Sequence, residues 1–151
     1  MANASSPESV GNAARQAYWV LRIAFTIVPI VAGVDQFTDK LANWDMYLAP
    51  LATRILPLPA HTLMMIAGVA EIIAGLIVAF TPRIGGWIVA IWLWLIIINL
   101  LVASGFYDNA LRDFGLSLNA VALARLGAGF HLTLHVQPVT QSPLAGIPGN
   151  L

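Results

Sequence analysis

The sequence predicts an all-α integral membrane protein, built as a four-transmembrane-helix bundle with a short interfacial segment between helices 1 and 2. Hydrophobic residues make up 59% of the 151 residues and charged residues only 9%, whereas a soluble domain carries about 25% charged residues. Four apolar stretches are long enough to cross a bilayer, at about residues 17–37, 61–80, 84–104 and 113–133. We therefore expect a multi-pass protein of the cell membrane, surrounded by lipid.

The composition also limits the chemistry available to the chain. Its formal net charge is zero, so no basic surface for nucleic acid is predicted. It has no cysteine, which excludes disulfides, cysteine-ligated iron–sulfur clusters and covalently anchored haem within it. Residues 1–16 are expected to form a polar N-terminal tail and residues 136–151 a Pro-rich C-terminal tail. Four spans would place both tails on the same side of the membrane.

One side of the first span is polar or small and is expected to face other helices. It consists of Arg22, Thr26, Pro29, Gly33, Gln36 and Lys40. Tyr18 and Trp19 at the start of the span suit a membrane–water interface, and Pro29 is expected to kink the helix.

The connection over residues 38–60 contains three prolines and an apolar helical pattern. Trp44, Tyr47, Leu48 and Leu51 have the i, i+3, i+4, i+7 spacing of a short helix lying in the interface. Two interpretations stay open for this segment. It is a lid or partner-docking element, or it is a connector that follows the membrane surface.

The second span is apolar over most of its length but carries Glu71 near its middle. At 1.5 Å per residue the span is about 30 Å long, so Glu71 falls near the midplane of the bilayer. A carboxylate there costs roughly 2.5–3.5 kcal/mol. Small residues on the same face allow a neighbouring helix to approach closely, namely Ala67, Gly68, Ala74 and Gly75.

The third span has two tryptophans deeper than the usual aromatic belt, Trp92 and Trp94. Either ring is a possible platform for a ligand such as a quinone, and the alternative is that both face lipid or pack between helices. Asn99 is the only strongly polar residue of this span, and we expect it to bond to another helix.

Arg125 of the fourth span is the predicted partner of Glu71. The loops after spans one and three lie on the same side, and from there Glu71 is about 15 Å deep and Arg125 about 18 Å. Arg22, about 22 Å deep, is a second candidate partner. A pair of opposite charges offsets the desolvation of each. Such a pair either fixes helix register or carries function.

Polar residues also gather near the loops after spans one and three, where we expect the mouth of any ligand pocket. They are Asp35, Gln36, Lys40, Asn99, Asp108, Arg112 and Asp113. Asp35 and Lys40 are expected to pair with Arg112 and Asp113, and Asp113 is also suited to cap the fourth helix. No metal site is predicted, because His131 and His135 supply only two ligands on one helix.

Three segments of the chain resemble the DoxX-like family of small membrane proteins. Arg22, Gly33 and Lys40 resemble its first-helix pattern, and residues 71–86 are similar to its second helix, turn and arginine. Residues 110–124 are similar to its R-D opening of helix four. The resemblance implies four helices and cytoplasmic termini. Because the family includes membrane subunits of thiosulfate:quinone oxidoreductase, it also implies a link to quinones.

Three functions are therefore open. The first is a non-catalytic subunit that anchors or stabilises a larger electron-transfer complex of other membrane subunits. The second is a quinone-reactive redox subunit, with Trp92 or Trp94 as ring platform and Glu71 as proton carrier. The third is a small proton-coupled carrier that acts as an oligomer. No covalently bound cofactor is expected, and a quinone or a lipid is the possible ligand.

Overall fold

The structure is a computed structural model that describes residues 7–135 of the chain, with side chains for residues 7–130. Regular structure in this part is entirely helical. There are five α-helices and one 3-10 turn, Trp44–Tyr47, between the first two. The α-helices are α1 Pro7–Asp35, α2 Pro50–Ile55, α3 Ala60–Phe80, α4 Pro82–Ala103 and α5 Tyr107–His135.

Three of the described helices, α1, α3 and α4, are long and apolar enough to cross a membrane. This composition is consistent with a membrane protein whose helices contact lipid. The fifth helix, predicted as a fourth span, is as long as α1 but is not among the three. It carries four charged residues between its first turn and Arg125, which lowers its mean hydropathy.

Two helices begin earlier than predicted. α1 begins at Pro7, so much of the predicted polar tail is helical. α5 begins at Tyr107 rather than at about residue 113, with Asp108 as its first-turn acid. The predicted C-terminal tail lies outside the described residues.

The helices pack mainly as two pairs, α1 with α3 and α4 with α5. Glycines allow both contacts. A Cβ atom on Gly68 would lie 2.7 Å from the carbonyl oxygen of Gly33, and one on Gly86 would lie 2.7 Å from that of Ala120. Backbones that approach this closely gain dispersion contacts, which drive helix association in lipid.

Two groups of buried apolar residues hold the helices together. The larger is centred on Val78 and Leu123, both fully buried, near the turn that joins α3 to α4. The smaller contains Ile97, Leu100 and Ala110, near the turn that joins α4 to α5. Buried apolar packing therefore joins helices at both ends, and the α1–α3 connection covers the end where α4 turns into α5.

We call residues 38–59 the cap, because this connection packs against α3 and α4 at the end where α1 finishes. It forms the 3-10 turn and α2, not one continuous short helix. Pro50 explains the break. The residue before a proline is driven out of the helical region, and Ala49 accordingly has φ −66° and ψ 137°.

Candidate functional site

An open cavity of about 1120 Å³ lies between the long helices and the cap. Most of its lining is apolar, including Phe25, Val28 and Leu93. A smaller number of polar side chains also face it, and α1 to α5 all contribute to its wall. The polar-tipped residues are Gln36, Trp44, Tyr47, Glu71, Trp92, Asn99, Asn109, Arg112, Asp113 and Asn119.

Glu71 is the centre of the polar wall. Its Oε2 accepts a hydrogen bond from Gln36 Nε2 at 3.1 Å, and its Oε1 accepts one from the Trp92 indole at 3.4 Å. The negative charge of Asp113 on α5 also acts on it. The acid is therefore held by two hydrogen-bond donors, one on the residue that follows α1 and one on α4, and it faces a like charge on α5.

Gln36 reaches Glu71 because the residue of α3 that lies between them, Gly68, has no side chain. Gly68 lies one helical turn before Glu71, and a Cβ atom there would come within 3.1 Å of Gln36 Oε1. The glutamine is only 2% exposed. Its Nε2 donates to Glu71, but its Oε1 is buried without a hydrogen-bond partner. Such an unsatisfied acceptor is uncommon in native proteins.

A second carboxylate, Asp113, stands on the α5 wall of the cavity. Its side chain is 7% exposed, and its Oδ1 accepts a hydrogen bond from Arg112 Nε at 3.1 Å. The arginine is 65% exposed and extends toward the surface. Asp113 was predicted as a helix cap. It instead lies in the second turn of α5, which begins six residues earlier, and therefore has its side chain free for the cavity.

The predicted ion pair between Glu71 and Arg125 is not formed. In the described residues Arg125 is exposed, and the partners of Glu71 are neutral side chains. Ala124 packs on Gly86 and Gly127 on the backbone of Arg83, so Arg125 lies near the α3–α4 turn. The depth estimate was wrong because α5 begins at Tyr107, which adds six residues, or about 9 Å, to the depth of Arg125.

Arg22 also has a different partner from the one predicted. It donates to the carbonyl oxygen of Ala79 at 2.5 Å, and its guanidinium lies 5.0 Å from the centre of the Trp19 ring. Ala79 is in the last turn of α3, where free carbonyl groups favour a cation. Arg22 therefore binds a carbonyl oxygen at the C-terminal end of α3, away from the cap, and does not contact Glu71.

Asp35 and Lys40 do not pair with Arg112 and Asp113 as predicted. The carboxylate of Asp35 is turned into the cap, where it accepts a hydrogen bond from the Trp44 indole at 2.8 Å. It also accepts from the backbone N–H groups of Lys40, Leu41 and Ala42. Lys40 is exposed and contributes its amide to this network. Asp35 is thus the organising residue of the cap.

Asn99 ties the cap to α4. Its Oδ1 accepts from the Ala49 N–H at 2.9 Å, and its Nδ2 donates to the Tyr47 carbonyl at 2.7 Å. We expected a bond to another helix, and the partner is the cap backbone.

The two possible ring platforms, Trp92 and Trp94, lie in different surroundings. Trp92 lines the cavity, whereas Trp94 is 48% exposed and packs edge-on against Phe114.

The contact that sequence reasoning missed is the one between Gln36 and Glu71. Gln36 was placed on the correct side of the first span, but without a partner. A signal was present, because Gly33 on the same stripe is one turn from Gln36 and Gly68 is one turn from Glu71. Pairing the two glycines would have brought the two polar residues together.

No family model, curated protein or solved structure matches this chain. The described residues hold no group of three or more His, Cys, Asp or Glu side chains that could bind a metal ion.

Proposed function

We propose that this chain is a small membrane subunit of a quinone-linked electron-transfer complex, and that its cavity binds the ring of a quinone-type ligand. The observation that carries the proposal is Glu71, a carboxyl group set in an apolar cavity between Gln36 and Trp92. An anchoring helix bundle needs neither a cavity nor an acid. A site for a small ligand is typically a mostly apolar cleft with a few convergent polar groups.

The lining of the site suits a flat ring with an apolar tail. Trp92 lines the cavity beside Glu71 and offers an aromatic surface for stacking. Apolar residues of α1 and α4 continue the lining away from the acid. We place the ring at the polar wall and the tail along this apolar part.

Glu71 is the proposed proton carrier. Asp113 and Arg112 form a polar path from its neighbourhood toward the surface. The cysteine-free chain has no thiolate ligands for an iron–sulfur cluster, so the electrons would come from a partner subunit. The proposed role is therefore ligand binding and anchoring within a complex, and not stand-alone catalysis.

The proposed topology has α5 as the fourth span, with both termini in the cytoplasm. The extensive packing of α5 on α4 supports its place beside the three apolar helices, and the cytoplasmic side of the termini is part of the proposal alone. The resemblance to the DoxX-like family points the same way.

Purification in mild detergent, followed by mass spectrometry and a visible absorption spectrum, tests the proposal. We expect a coloured complex with redox-active partner subunits and co-purifying quinone. The Glu71→Gln variant should still assemble but should lose most quinone-linked turnover. A colourless species containing this chain alone, without quinone, would overturn the proposal.

One observation favours a second candidate, a proton-coupled carrier of organic cations. Arg112 balances Asp113, but no cation within the described residues balances Glu71. The matching test is proton flux driven by an alkylammonium gradient in liposomes holding only this chain. The Glu71→Gln variant is the control.

A further inference from the structure

We infer that the apolar tail of the ring ligand leaves the cavity and lies in a groove on the lipid-facing side of α3 and α4, so that the ligand enters its site from the bilayer. This inference rests on the proposed function, which places the ring at the polar wall of the cavity. It adds a second, wholly apolar binding surface to that site.

The groove is a depression of about 350 Å³ between α3 and α4. Two small residues of α3, Ala70 and Ala74, lie one helical turn apart in it, and larger apolar side chains surround them. These are Ile73, Ile77, Ile88, Ile91, Trp92 and Leu95. The only polar group on these side chains, the indole N–H of Trp92, donates to Glu71. An apolar chain in the groove therefore meets no unpaired side-chain donor or acceptor.

The groove lies on the outside of the helix pair. Ile73, Ile91 and Leu95 are each more than half exposed. They belong to α3 and α4, which are two of the helices long and apolar enough to cross a membrane. In a bilayer this surface would contact acyl chains and not water.

The groove is continuous with the cavity, because Ala74, Trp92 and Leu95 line both. At Leu95 the cavity reaches the exposed side of α4. Ile98 and Val102, one and two helical turns further along, are also about half exposed and also line the cavity. The cavity is therefore open along this side of α4, beside one end of the groove.

The cap adds an apolar rim to the same opening. Leu51 and Ile55 of α2, which packs on α4, are exposed and line the cavity. The polar side chain of α4 at this level, Asn99, is bound to the cap backbone. A ligand already dissolved in the bilayer can pass such a rim without exposing its apolar tail to water.

The antiparallel course of α3 and α4 sets the direction of the tail. Because one residue separates the two helices, Ala70 and Leu95 lie at the end of the groove away from their turn, and Ile77 and Ile88 lie at the end near it. Seven residues along α3 correspond to about 10 Å. An extended chain advances about 1.2 Å per bond, so the groove holds about eight methylene groups.

The occupant we propose is the tail of the cavity ligand and not an acyl chain of a bulk phospholipid. A phospholipid keeps its polar head at the membrane surface. A molecule with its ring beside Glu71, in the middle of α3, can fill the cavity and the groove together. Such a molecule gains affinity from both surfaces, because the second contact is intramolecular once the first has formed.

Photolabelling of the full chain in lipid nanodiscs tests the inference. The probe is a decyl-benzoquinone with a diazirine at the end of its chain, and the competitor is plain decyl-benzoquinone in excess. Mass spectrometry locates the labelled residues. The competitor should reduce labelling of Ile73, Ile77, Ile88 and Ile91 at least about fivefold. Labelling of Val69, which is exposed on α3 outside the groove, should not fall.

A matched pair of variants separates the tail from the ring. Ala70 lines the groove but not the cavity, so Ala70→Phe should obstruct the tail alone. It should weaken binding of decyl-benzoquinone at least about fivefold and change binding of methyl-benzoquinone by less than about twofold. Val69→Phe adds the same ring outside the groove and should change neither. If Ala70→Phe does not fold, the labelling of the unaltered chain decides the question.

The outcomes separate this inference from the proposed function. Competed labelling in the groove supports the inference. Competed labelling confined to other residues, or labelling that the competitor does not reduce, overturns it, and binding of methyl-benzoquinone would then show that the ring site stands. If methyl-benzoquinone also fails to bind above the level of empty nanodiscs, the proposed function fails as well.

Discussion

Gln36, the residue after the end of α1, donates a hydrogen bond to Glu71 in the middle of α3, with 3.1 Å between Nε2 and Oε2. The bond lies beside the closest approach of the two helices, at Gly33 and Gly68. The closest helix contact and the hydrogen bond of Glu71 therefore lie side by side. Gln36 and Glu71 also form part of the cavity wall.

Replacing Gln36 by leucine should destabilise the protein by about 1–3 kcal/mol, because the buried Glu71 carboxylate loses a donor. The free energy of unfolding in mixed micelles measures this. The double variant Gln36→Leu, Glu71→Leu should recover part of the loss, since removing both partners is less costly than removing one. Gln16→Leu, an exposed change on α1, is the control and should shift stability by less than about 0.5 kcal/mol.

Replacing Gly68 by alanine should push α1 away from α3. The new methyl group would meet the Gly33 carbonyl oxygen at 2.7 Å and Gln36 at 3.1 Å, and backbone does not move aside easily. We expect a loss of about 1–3 kcal/mol in unfolding free energy. Gly115→Ala is the matched control, since nothing lies within 4 Å of its Cβ position. An equal loss in both variants would contradict the packing argument.

Replacing Asp35 by alanine should loosen the cap without unfolding the helices. Hydrogen exchange of the Lys40, Leu41 and Ala42 amides should accelerate at least about tenfold, because these groups donate to the Asp35 carboxylate. Asp39→Asn is the control. Asparagine tolerates the positive φ of 48° at this position, and its exchange pattern should match that of the unaltered chain.

The sequence was sufficient to predict the helical class and the three apolar helices, because length and composition decide both. It also singled out Glu71, since one acid in about twenty apolar residues is conspicuous. Seven residues were expected at a pocket mouth. Gln36, Asn99, Arg112 and Asp113 line the cavity, whereas Asp35, Lys40 and Asp108 are not part of its lining.

Two features were not predictable from the sequence, the position of Arg125 and the partners of Asp35. The first depends on helix register, and the second on a choice among alternative partners. The polar residues 107–112 read as a loop, yet they begin α5, and this shifted the depth of Arg125. From the sequence alone, Lys40 and Arg112 are both plausible partners for Asp35. Which donors it binds depends on how the cap folds back, and that is a tertiary property.

The Glu71 and Arg125 positions should show no energetic coupling. Arg125 is exposed and lies near the α3–α4 turn, whereas Glu71 is held by Gln36 and Trp92 in the cavity. A double-mutant cycle of Glu71→Gln and Arg125→Gln should therefore be additive within about 0.5 kcal/mol in unfolding free energy. The cycle of Glu71→Gln and Gln36→Leu is the positive comparison and should give about 0.5–3 kcal/mol. Coupling above about 1 kcal/mol between Glu71 and Arg125 would mean that α5 sits in a different register, and it would restore an ion pair between the two helices.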